Sequence, residues 1–294
     1  MRPTRLALSF FGVAAICAAA SPAVSLPQGS SSVRSPVVNS GADETKPAAD
    51  GAYVAWTANT FKRPARYNVY FSQDGGPKQR VNPPGTQAST GGIDGTELIY
   101  AEQTRGGSDL VLYDMATGTR LPTPTGVNTR RDESSASNSG DYLLFDRGAN
   151  RIVLHNTMTS VETILAESDR KSLWSGQVNG NWAVYFVCWR ICNVFRYDIT
   201  DDESVKVPNP GRKYQYASSV SDAGVVYFAR SGRGFCENIR IMTWDGATNP
   251  TLLFPFPDRT DLYDTFFDDT VSSLYYEQIS CRNRKGDIFM EPAA

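Results

Sequence analysis

Residues 94–118 read DGTELIYAEQTRGGSDLVLYDMATG and contain a pattern that recurs along the chain. In it a turn residue, Asp94, precedes an alternating run that reaches an aromatic residue, Tyr100, six positions later. The six pairs are Asp50/Trp56, Asp94/Tyr100, Ser139/Phe145, Asn179/Tyr185, Asp222/Phe228 and Thr270/Tyr276. Successive aromatic residues are 44, 45, 40, 43 and 48 positions apart. This period, filled with strand-like segments, predicts an all-β, six-bladed β-propeller with four strands per blade.

The other strands of each repeat follow from short alternating segments. After a polar turn, a second hairpin strand begins with Asn or Asp, as in residues 68–71 and 109–112. A further turn leads to an outer strand, such as residues 204–207. The sixth repeat ends without this outer strand, and residues 32–38, SVRSPVV, resemble it. We predict that they pair beside residues 287–290 and close the ring, because closure removes an exposed sheet edge.

The start of the chain has the pattern of a secretory signal peptide, in which two arginines precede an apolar run over residues 6–20. A lipoprotein anchor at Cys17 is the alternative, and it is disfavoured because the residue before it is bulky. No other segment is apolar over a length that crosses a membrane. We therefore expect a secreted protein with a signal peptide over residues 1–25, a flexible lead-in over 26–31 and the propeller over 32–294.

The charge balance excludes some classes of partner. The 294 residues include 29 Lys and Arg and 31 Asp and Glu; removing the two arginines of the signal peptide leaves 27 and 31, a net charge of −4. A mildly acidic chain with interspersed charges is not typical of proteins that bind nucleic acid or anionic membranes. We expect a monomer whose partner is a protein, carbohydrate or anionic ligand of the extracellular space or cell envelope.

Four cysteines lie beyond the predicted signal peptide, and an even number in an exported chain favours disulfides. Cys188 and Cys192 flank the tip of one predicted hairpin, whereas Cys236 and Cys281 lie at the tips of the next two. We therefore predict the pairs 188–192 and 236–281. A metal site is the alternative, but no histidine lies nearby and the spacing is not that of a zinc site.

The repeat resembles that of TolB-type propellers. Residues 94–100, DGTELIY, and 109–114, DLVLYD, with Gly118 after them, are similar to the TolB pattern (S)PDG…(I)AF…DIYVMD. The resemblance extends over nearly all of residues 32–294, although the Pro of PDG is absent from all six copies. It implies a six-bladed propeller, a fold that hosts many functions. TolB proteins also carry a separate α/β domain before the propeller, which we do not expect here.

The sequence lacks the motifs of several enzyme classes. His155 is its one histidine, and no Gly-x-Ser-x-Gly motif accompanies it to form a hydrolase triad. There is no His-Glu-x-x-His motif, P-loop or Rossmann glycine pattern. We therefore assign no catalytic residue and expect neither a cofactor nor a metal ion.

Basic residues recur in the segments that lead into the innermost strands. They are Arg130, Arg131, Arg170, Lys171, Arg212, Lys213 and Arg259, and the aromatic residues Trp174 and Tyr214 lie in the same segments. In a propeller these loops meet on one face around the axial channel, so we predict a basic rim that attracts carboxylate or phosphate groups. The alternative is that they are solvated loop charges, with the aromatic rings packed between blades.

Carboxylates recur in the same part of the repeat. They are Asp43, Glu44, Asp132, Glu133 and Asp264. If they face the channel, two of them could serve as the acid and the nucleophile or base of glycoside cleavage. Salt bridges to neighbouring arginines are the alternative.

These patterns predict a secreted, non-catalytic, TolB-like propeller that binds a protein segment or an anionic or carbohydrate ligand at its loop face. The alternative is a propeller glycosidase or polysaccharide lyase that uses channel carboxylates with Arg or Lys. A third hypothesis is a scaffold whose flat faces recruit other envelope or matrix proteins.

Overall fold

The computed structural model describes residues 35–60, 66–231, 239–253, 260–282 and 284–293. Within these ranges the chain forms 24 β-strands and no helix, and the strands make six four-stranded antiparallel sheets. All of them belong to one compact unit, Ser32–Ala294. The prediction of an all-β, six-bladed propeller is confirmed.

The blades follow one another along the chain. Blade 1 contains β2 (Asp43–Asp50), β3 (Tyr53–Thr60), β4 (Arg66–Gln73) and β5 (Gln79–Arg80); blade 2 contains β6 (Ala88–Asp94), β7 (Glu97–Gln103), β8 (Ser108–Asp114) and β9 (Thr119–Leu121). Blade 3 contains β10 (Glu133–Ser139), β11 (Tyr142–Arg147), β12 (Arg151–Asn156) and β13 (Val161–Glu167); blade 4 contains β14 (Ser172–Asn179), β15 (Trp182–Trp189), β16 (Ile191–Asp198) and β17 (Glu203–Lys206). Blade 5 contains β18 (Tyr214–Val220), β19 (Val226–Ser231), β20 (Arg240–Trp244) and β21 (Thr251–Leu252); blade 6 contains β22 (Thr260–Asp268), β23 (Ser273–Ser280), β24 (Gly286–Pro292) and β1 (Ser35–Val38).

The first strand of each blade is its inner strand. Each inner strand contacts the inner strand of the next blade, and β22 of blade 6 contacts β2 of blade 1, so the six strands surround one axis. The N-terminal strand completes the ring as predicted, since β1 pairs antiparallel with β24, with Ser35 opposite Met290 and Pro36 opposite Phe289.

The six repeated aromatic residues lie in the core. Tyr100, Phe145, Phe228 and Tyr276 are fully buried, and Trp56 and Tyr185 nearly so. The hydrophobic clusters that contain most of these rings combine residues of two neighbouring blades; Ile99 of blade 2, for example, shares a cluster with Phe145 of blade 3. Full burial of a side chain of this kind stabilises the fold by about 2–3 kcal/mol. The aromatic residue therefore recurs because it joins blades.

The repeated turn residue has a different function, which is to bond the turn of the next blade. The side chain of the turn residue accepts a hydrogen bond from the backbone N–H of a glycine that adopts a positive φ. Three repeats show this contact: Asp50 with Gly95 (2.6 Å), Asp94 with Gly140 (2.7 Å) and Ser139 with Gly180 (3.1 Å). Across the closure, Gly51 donates instead to Asp268 (3.0 Å), two positions before the repeated residue Thr270. A short polar acceptor followed by glycine is therefore favoured at these three turns.

One disulfide lies within the described residues. Cys188 and Cys192 are bonded at the tip of the β15–β16 hairpin, with a Cα–Cα distance of 3.9 Å, as predicted. Cys281 is also disulfide-bonded. Its predicted partner, Cys236, lies outside the described residues.

Candidate functional site

The antiparallel order of the strands divides the loops between two faces. The top face carries the loops that lead into the inner strands and the tips of the hairpins between second and third strands. The bottom face carries the turns between first and second strands. Both the Cys188–Cys192 tip and the predicted basic loops lie on the top face.

Two cavities lie along the axis. The top chamber has a volume of about 340 Å³ and is lined by the inner strands of all six blades. The bottom chamber has a volume of about 190 Å³ and is lined by the turn residues, including Asp50, Asp94, Asp268 and Asp269. The top chamber is the size of a small ligand pocket.

The polar wall of the top chamber is built by β-bulges. Every inner strand has a register shift at the same level. In blades 1–4 two residues face a single residue of the second strand, and in blades 5 and 6 one residue, Ala217 or Asp264, has no partner opposite it. In four blades the bulge contains a non-glycine residue at positive φ: Lys46 (51°), Ser135 (48°), Ala217 (49°) and Asp264 (36°). A bulge redirects side chains, and these four line the chamber. Such strained residues are concentrated at functional sites.

In the remaining two blades, 2 and 4, the bulge contains a glycine. A Cβ atom on Gly91 would lie 2.5 Å from the carbonyl oxygen of Ala136, and one on Gly176 would lie 2.4 Å from that of Ser218. Neighbouring inner strands therefore approach too closely here for any other residue. Glycine at these two positions keeps the chamber narrow.

Gln177 separates the two chambers. Its side chain is 4% exposed and lines both cavities. Its Nε2 donates to the carbonyl of Phe267 (2.8 Å), and its Oε1 accepts from the N–H groups of Val220 (3.3 Å) and Phe267 (3.1 Å). The side chain thus crosses from blade 4 to blades 5 and 6 and forms the floor of the top chamber.

An aromatic platform lies at the mouth of the top chamber. Trp174, on the predicted rim, is 47% exposed and stacks on Phe186, with ring centroids 6.3 Å apart and an interplanar angle of 15°. Both rings line the chamber. A large exposed ring held by a second ring is suited to contact a ligand at low entropic cost.

Two buried carboxyl groups stand behind the chamber wall. Asp146 is 3% exposed, and its Oδ1 accepts from the N–H of Ser175 (2.6 Å); burial raises the pKa of this carboxyl to about 7. Glu277 is 4% exposed. Burial and the neighbouring charges of Asp264 and Asp43 raise the pKa of Glu277 well above its usual range, and Glu277 shares a hydrogen bond with Asp264.

The basic loops lie on the top face of blades 3, 4 and 5. Their described side chains, Arg130, Arg131, Arg170, Lys171, Arg212 and Lys213, are all exposed. Local turns hold their backbones, since Thr129 Oγ1, Ser168 Oγ and Asn209 Oδ1 accept from N–H groups of the three pairs. None of the six forms an ion pair with a described residue or lines the top chamber. Arg259 lies outside the described residues.

Tyr214 connects this rim to the disulfide-bonded tip. Its hydroxyl donates to the carbonyl of Arg190 (2.9 Å), which lies between the bonded cysteines. Trp189 at the same tip is 53% exposed. The tip of blade 4 is therefore fixed beside the loop that holds Lys213.

The five predicted carboxylates lie in different environments. Glu44 and Glu133 are fully buried; Glu44 accepts from Ser40, and Glu133 accepts from Thr129 Oγ1 (2.7 Å) and Arg147 Nε (3.2 Å). Asp43 accepts from the N–H of Gly286 (2.8 Å), and Asp132 from the N–H of Ser108 (2.9 Å). Of the five, Asp264 lines the top chamber.

The acidic residues of the bottom chamber hold the blades together. Asp50, Asp94 and Asp268 accept the hydrogen bonds between turns described above, and Asp269 accepts from the N–H of Asp222 (3.1 Å). Burial raises the pKa of Asp269 to about 6. Within the described ranges no group of three or more His, Cys, Asp or Glu side chains is arranged to hold a metal ion. The same ranges contain no helix of the length and apolarity of a membrane span.

Similar solved structures share this architecture. TolB from Acinetobacter baumannii is 15% identical, with a TM-score of 0.59 over 82% of this chain and 63% of that chain. The putative TolB from Agrobacterium tumefaciens is 13% identical, with a TM-score of 0.58 over 87% and 92%. The fold is that of a TolB-like propeller.

The TolB-like propeller also resembles a domain of a protease. The β-propeller domain of the trilobed protease from Pyrococcus furiosus is 11% identical, with a TM-score of 0.56 over 86% of this chain and 96% of that domain. That domain has an open velcro topology, whereas β1 closes blade 6 here. No family model and no curated protein matches the chain. Identities of this size extend the likeness to the fold alone, and the chain spans less than two thirds of the Acinetobacter TolB.

In the TolB-like propeller, Trp174 and Asp264 were expected from the sequence, whereas Lys46, Asp146 and Gln177 were not. Asp146 directly follows the repeated aromatic residue of its blade, where a carboxylate after an apolar strand is a signal that could have been noticed. Lys46 and Gln177 carry no such signal, because their positions depend on the bulges.

Proposed function

We propose that the protein is an exported, non-catalytic binding protein that takes a segment of a partner protein, or an anionic carbohydrate, at the top mouth of its channel. The main support for the proposal is the position of one aromatic side chain. Trp174 presents nearly half of its surface at the entrance of a chamber closed below by Gln177. An exposed ring beside a concave pocket is the usual arrangement of a binding site.

The charge of the top face supports an anionic ligand. Three pairs of exposed cations, on blades 3, 4 and 5, lie on the face that carries Trp174, and none is paired with a described carboxylate. Unpaired charges of one sign attract ligands of the opposite sign and increase their association rate. The basic loops would guide the ligand, and the aromatic platform would hold it.

Export is supported by the disulfides and by the N-terminal pattern. The Cys188–Cys192 bond and the bonded Cys281 are typical of a protein that folds in an oxidising compartment. The signal peptide predicted over residues 1–25 is consistent with this location.

The contacts of the carboxylates favour binding over glycoside cleavage. The carboxyl groups of glycosidases are separated by about 5–5.5 Å or 6.5–9.5 Å. Asp264, by contrast, is hydrogen-bonded directly to Glu277. Glu44 and Glu133 are fully buried. We therefore assign these carboxylates to the fold.

An array of acidic and neutral peptides, together with uronate-containing and neutral glycans, tests the proposal. Trp174→Ala should weaken the binding of every genuine ligand by about tenfold or more, because central aromatic residues dominate binding energies. Trp189→Ala is the matched control, since Trp189 is equally exposed on the same face but lies outside the chamber lining. Binding that is unchanged by Trp174→Ala, or lost only in Trp189→Ala, would contradict the proposal.

A further inference from the structure

The top chamber contains an ammonium group without an ion-pair partner. Lys46 extends from the bulge of blade 1 and lines the chamber. Its charge acts on both Asp146 of blade 3 and Glu277 of blade 6, which lie on opposite sides of the ring. No described carboxylate lies within 4.0 Å of it. Lys46 therefore contributes to the chamber wall a cation that no described carboxylate pairs with.

A second group in the same wall also lacks a partner. Ser218 is 3% exposed and lines the chamber. Its Oγ is buried and has no hydrogen-bond partner among the described residues. A buried hydroxyl left unpaired is destabilising, so such a group in a native site needs an explanation.

The acidic groups around the chamber are already bonded. Asp264 and Glu277 are hydrogen-bonded to each other, and Asp146 accepts from the N–H of Ser175. The two groups without a described partner, the ammonium of Lys46 and the hydroxyl of Ser218, can both donate a hydrogen bond. A negatively charged acceptor placed between them would satisfy both groups.

We infer that the top chamber binds the free C-terminal carboxylate of a peptide, with Lys46 and Ser218 as its donors. The inference deepens the proposed function and rests on it. Gln177 closes the floor, so the chamber receives the end of a chain and not its middle. The rings of Trp174, Phe186 and Phe266 also line it, and this apolar surface suits an apolar last side chain better than a sugar ring.

Small defined probes test the inference with the full-length protein. N-acetyl-L-phenylalanine carries the carboxylate, and its carboxamide is the uncharged match; methyl glucuronide and methyl glucoside form the corresponding sugar pair. Dissociation constants are measured by ligand-observed NMR. The acid should bind about tenfold or more tightly than its carboxamide, because hydrogen bonds to a charged acceptor are stronger than those to a neutral one.

Two variants assign this preference to a residue. Lys46→Met should abolish the difference between acid and carboxamide, whereas Lys46→Arg should retain it. Lys206→Met, which removes an exposed cation of the outer strand β17, should leave the difference unchanged. Retention of the wild-type thermal midpoint by Lys46→Met shows that the fold is intact; a preference that Lys46→Arg restores supports the inference even if that midpoint falls.

The outcomes separate the inference from the proposed function. Equal binding of the acid and the carboxamide by the wild type, or a preference that Lys46→Met retains, overturns the carboxylate subsite. Tighter binding of the glucuronide than of the amino acid overturns the peptide as its source. If Trp174→Ala still weakens both members of a pair in these cases, the proposed function survives. Binding of neither acid overturns the subsite.

Discussion

Replacement of Gln177 by alanine is the most direct test of how the channel is closed. The wild-type side chain makes three hydrogen bonds to the backbones of blades 5 and 6, at 2.8, 3.1 and 3.3 Å. Gln177→Ala leaves the N–H groups of Val220 and Phe267, and the carbonyl of Phe267, without these partners. It also joins the two chambers into one channel, because Gln177 lines both.

The magnitude follows from these three bonds. Each is worth about 1 kcal/mol net, and a buried group left unpaired costs about 1–3 kcal/mol. The two chambers allow water to reach the exposed groups, which keeps the cost near the lower value for each. We therefore expect the free energy of unfolding to fall by about 3 kcal/mol. For a domain of this size, the corresponding fall in Tm is on the order of 6 °C.

Urea denaturation followed by fluorescence measures this loss, with Gln103→Ala as the matched control. Gln103 is exposed, and its Nε2 donates to the carbonyl of Gly107 at a hairpin tip (2.7 Å). The control should lose less than about 0.5 kcal/mol, as surface substitutions usually do. Equal midpoints for Gln177→Ala and wild type would refute the assignment of Gln177 as a structural bridge between blades.

Three further variants test other contacts. Asp94→Ala removes the acceptor of the Gly140 N–H and should lower the free energy of unfolding by about 1 kcal/mol in urea; an unchanged midpoint would exclude the bond between turns. Burial raises the folded-state pKa of Asp146 from 3.8 to about 7. The folded protein therefore holds the proton more strongly, and wild-type stability decreases as the pH rises between these values. Asp146→Asn should remove this decrease from the pH dependence of Tm. A variant whose Tm falls with pH in parallel with that of the wild type would contradict the buried carboxyl as its cause. The double variant Cys188→Ser/Cys192→Ser, unfolded in urea without reductant, should have a free energy of unfolding about 2 kcal/mol lower than that of the wild type, as expected for a five-residue loop. A double variant as stable as the wild type would show that the disulfide does not stabilise the fold.

Much of the fold could be predicted because it depends on local, repeated signals. The spacing of the aromatic residues predicted the number of blades, and the resemblance of residues 32–38 to the outer strands predicted the strand that closes the ring. The part of it that the structure describes, β1, pairs as expected. The positions of Cys188 and Cys192 at one hairpin tip predicted their bond. Each of these features is visible within a few residues, since a strand or a turn depends on its own sequence.

The candidate site was harder to predict because it depends on contacts between distant residues. Trp174 and Asp264 were selected from the sequence, whereas Lys46 and Gln177 were not. Gln177 bonds to Phe267, 90 positions away. A bulge changes the direction of a side chain without any change in the alternation of apolar residues, so the pattern alone does not reveal it.

The sequence by itself determined the blade count, the closing strand and the disulfide at the fourth hairpin, because hydrophobic period and turn chemistry act locally. Only the tertiary structure decided which side chains face the axis. The six bulged inner strands meet around the axis. There the space left by neighbouring backbones, as at Gly91 and Gly176, determines which side chains line the chamber. The unpaired ammonium of Lys46 exists for the same reason: its surroundings are contributed by blades that lie far apart in the chain.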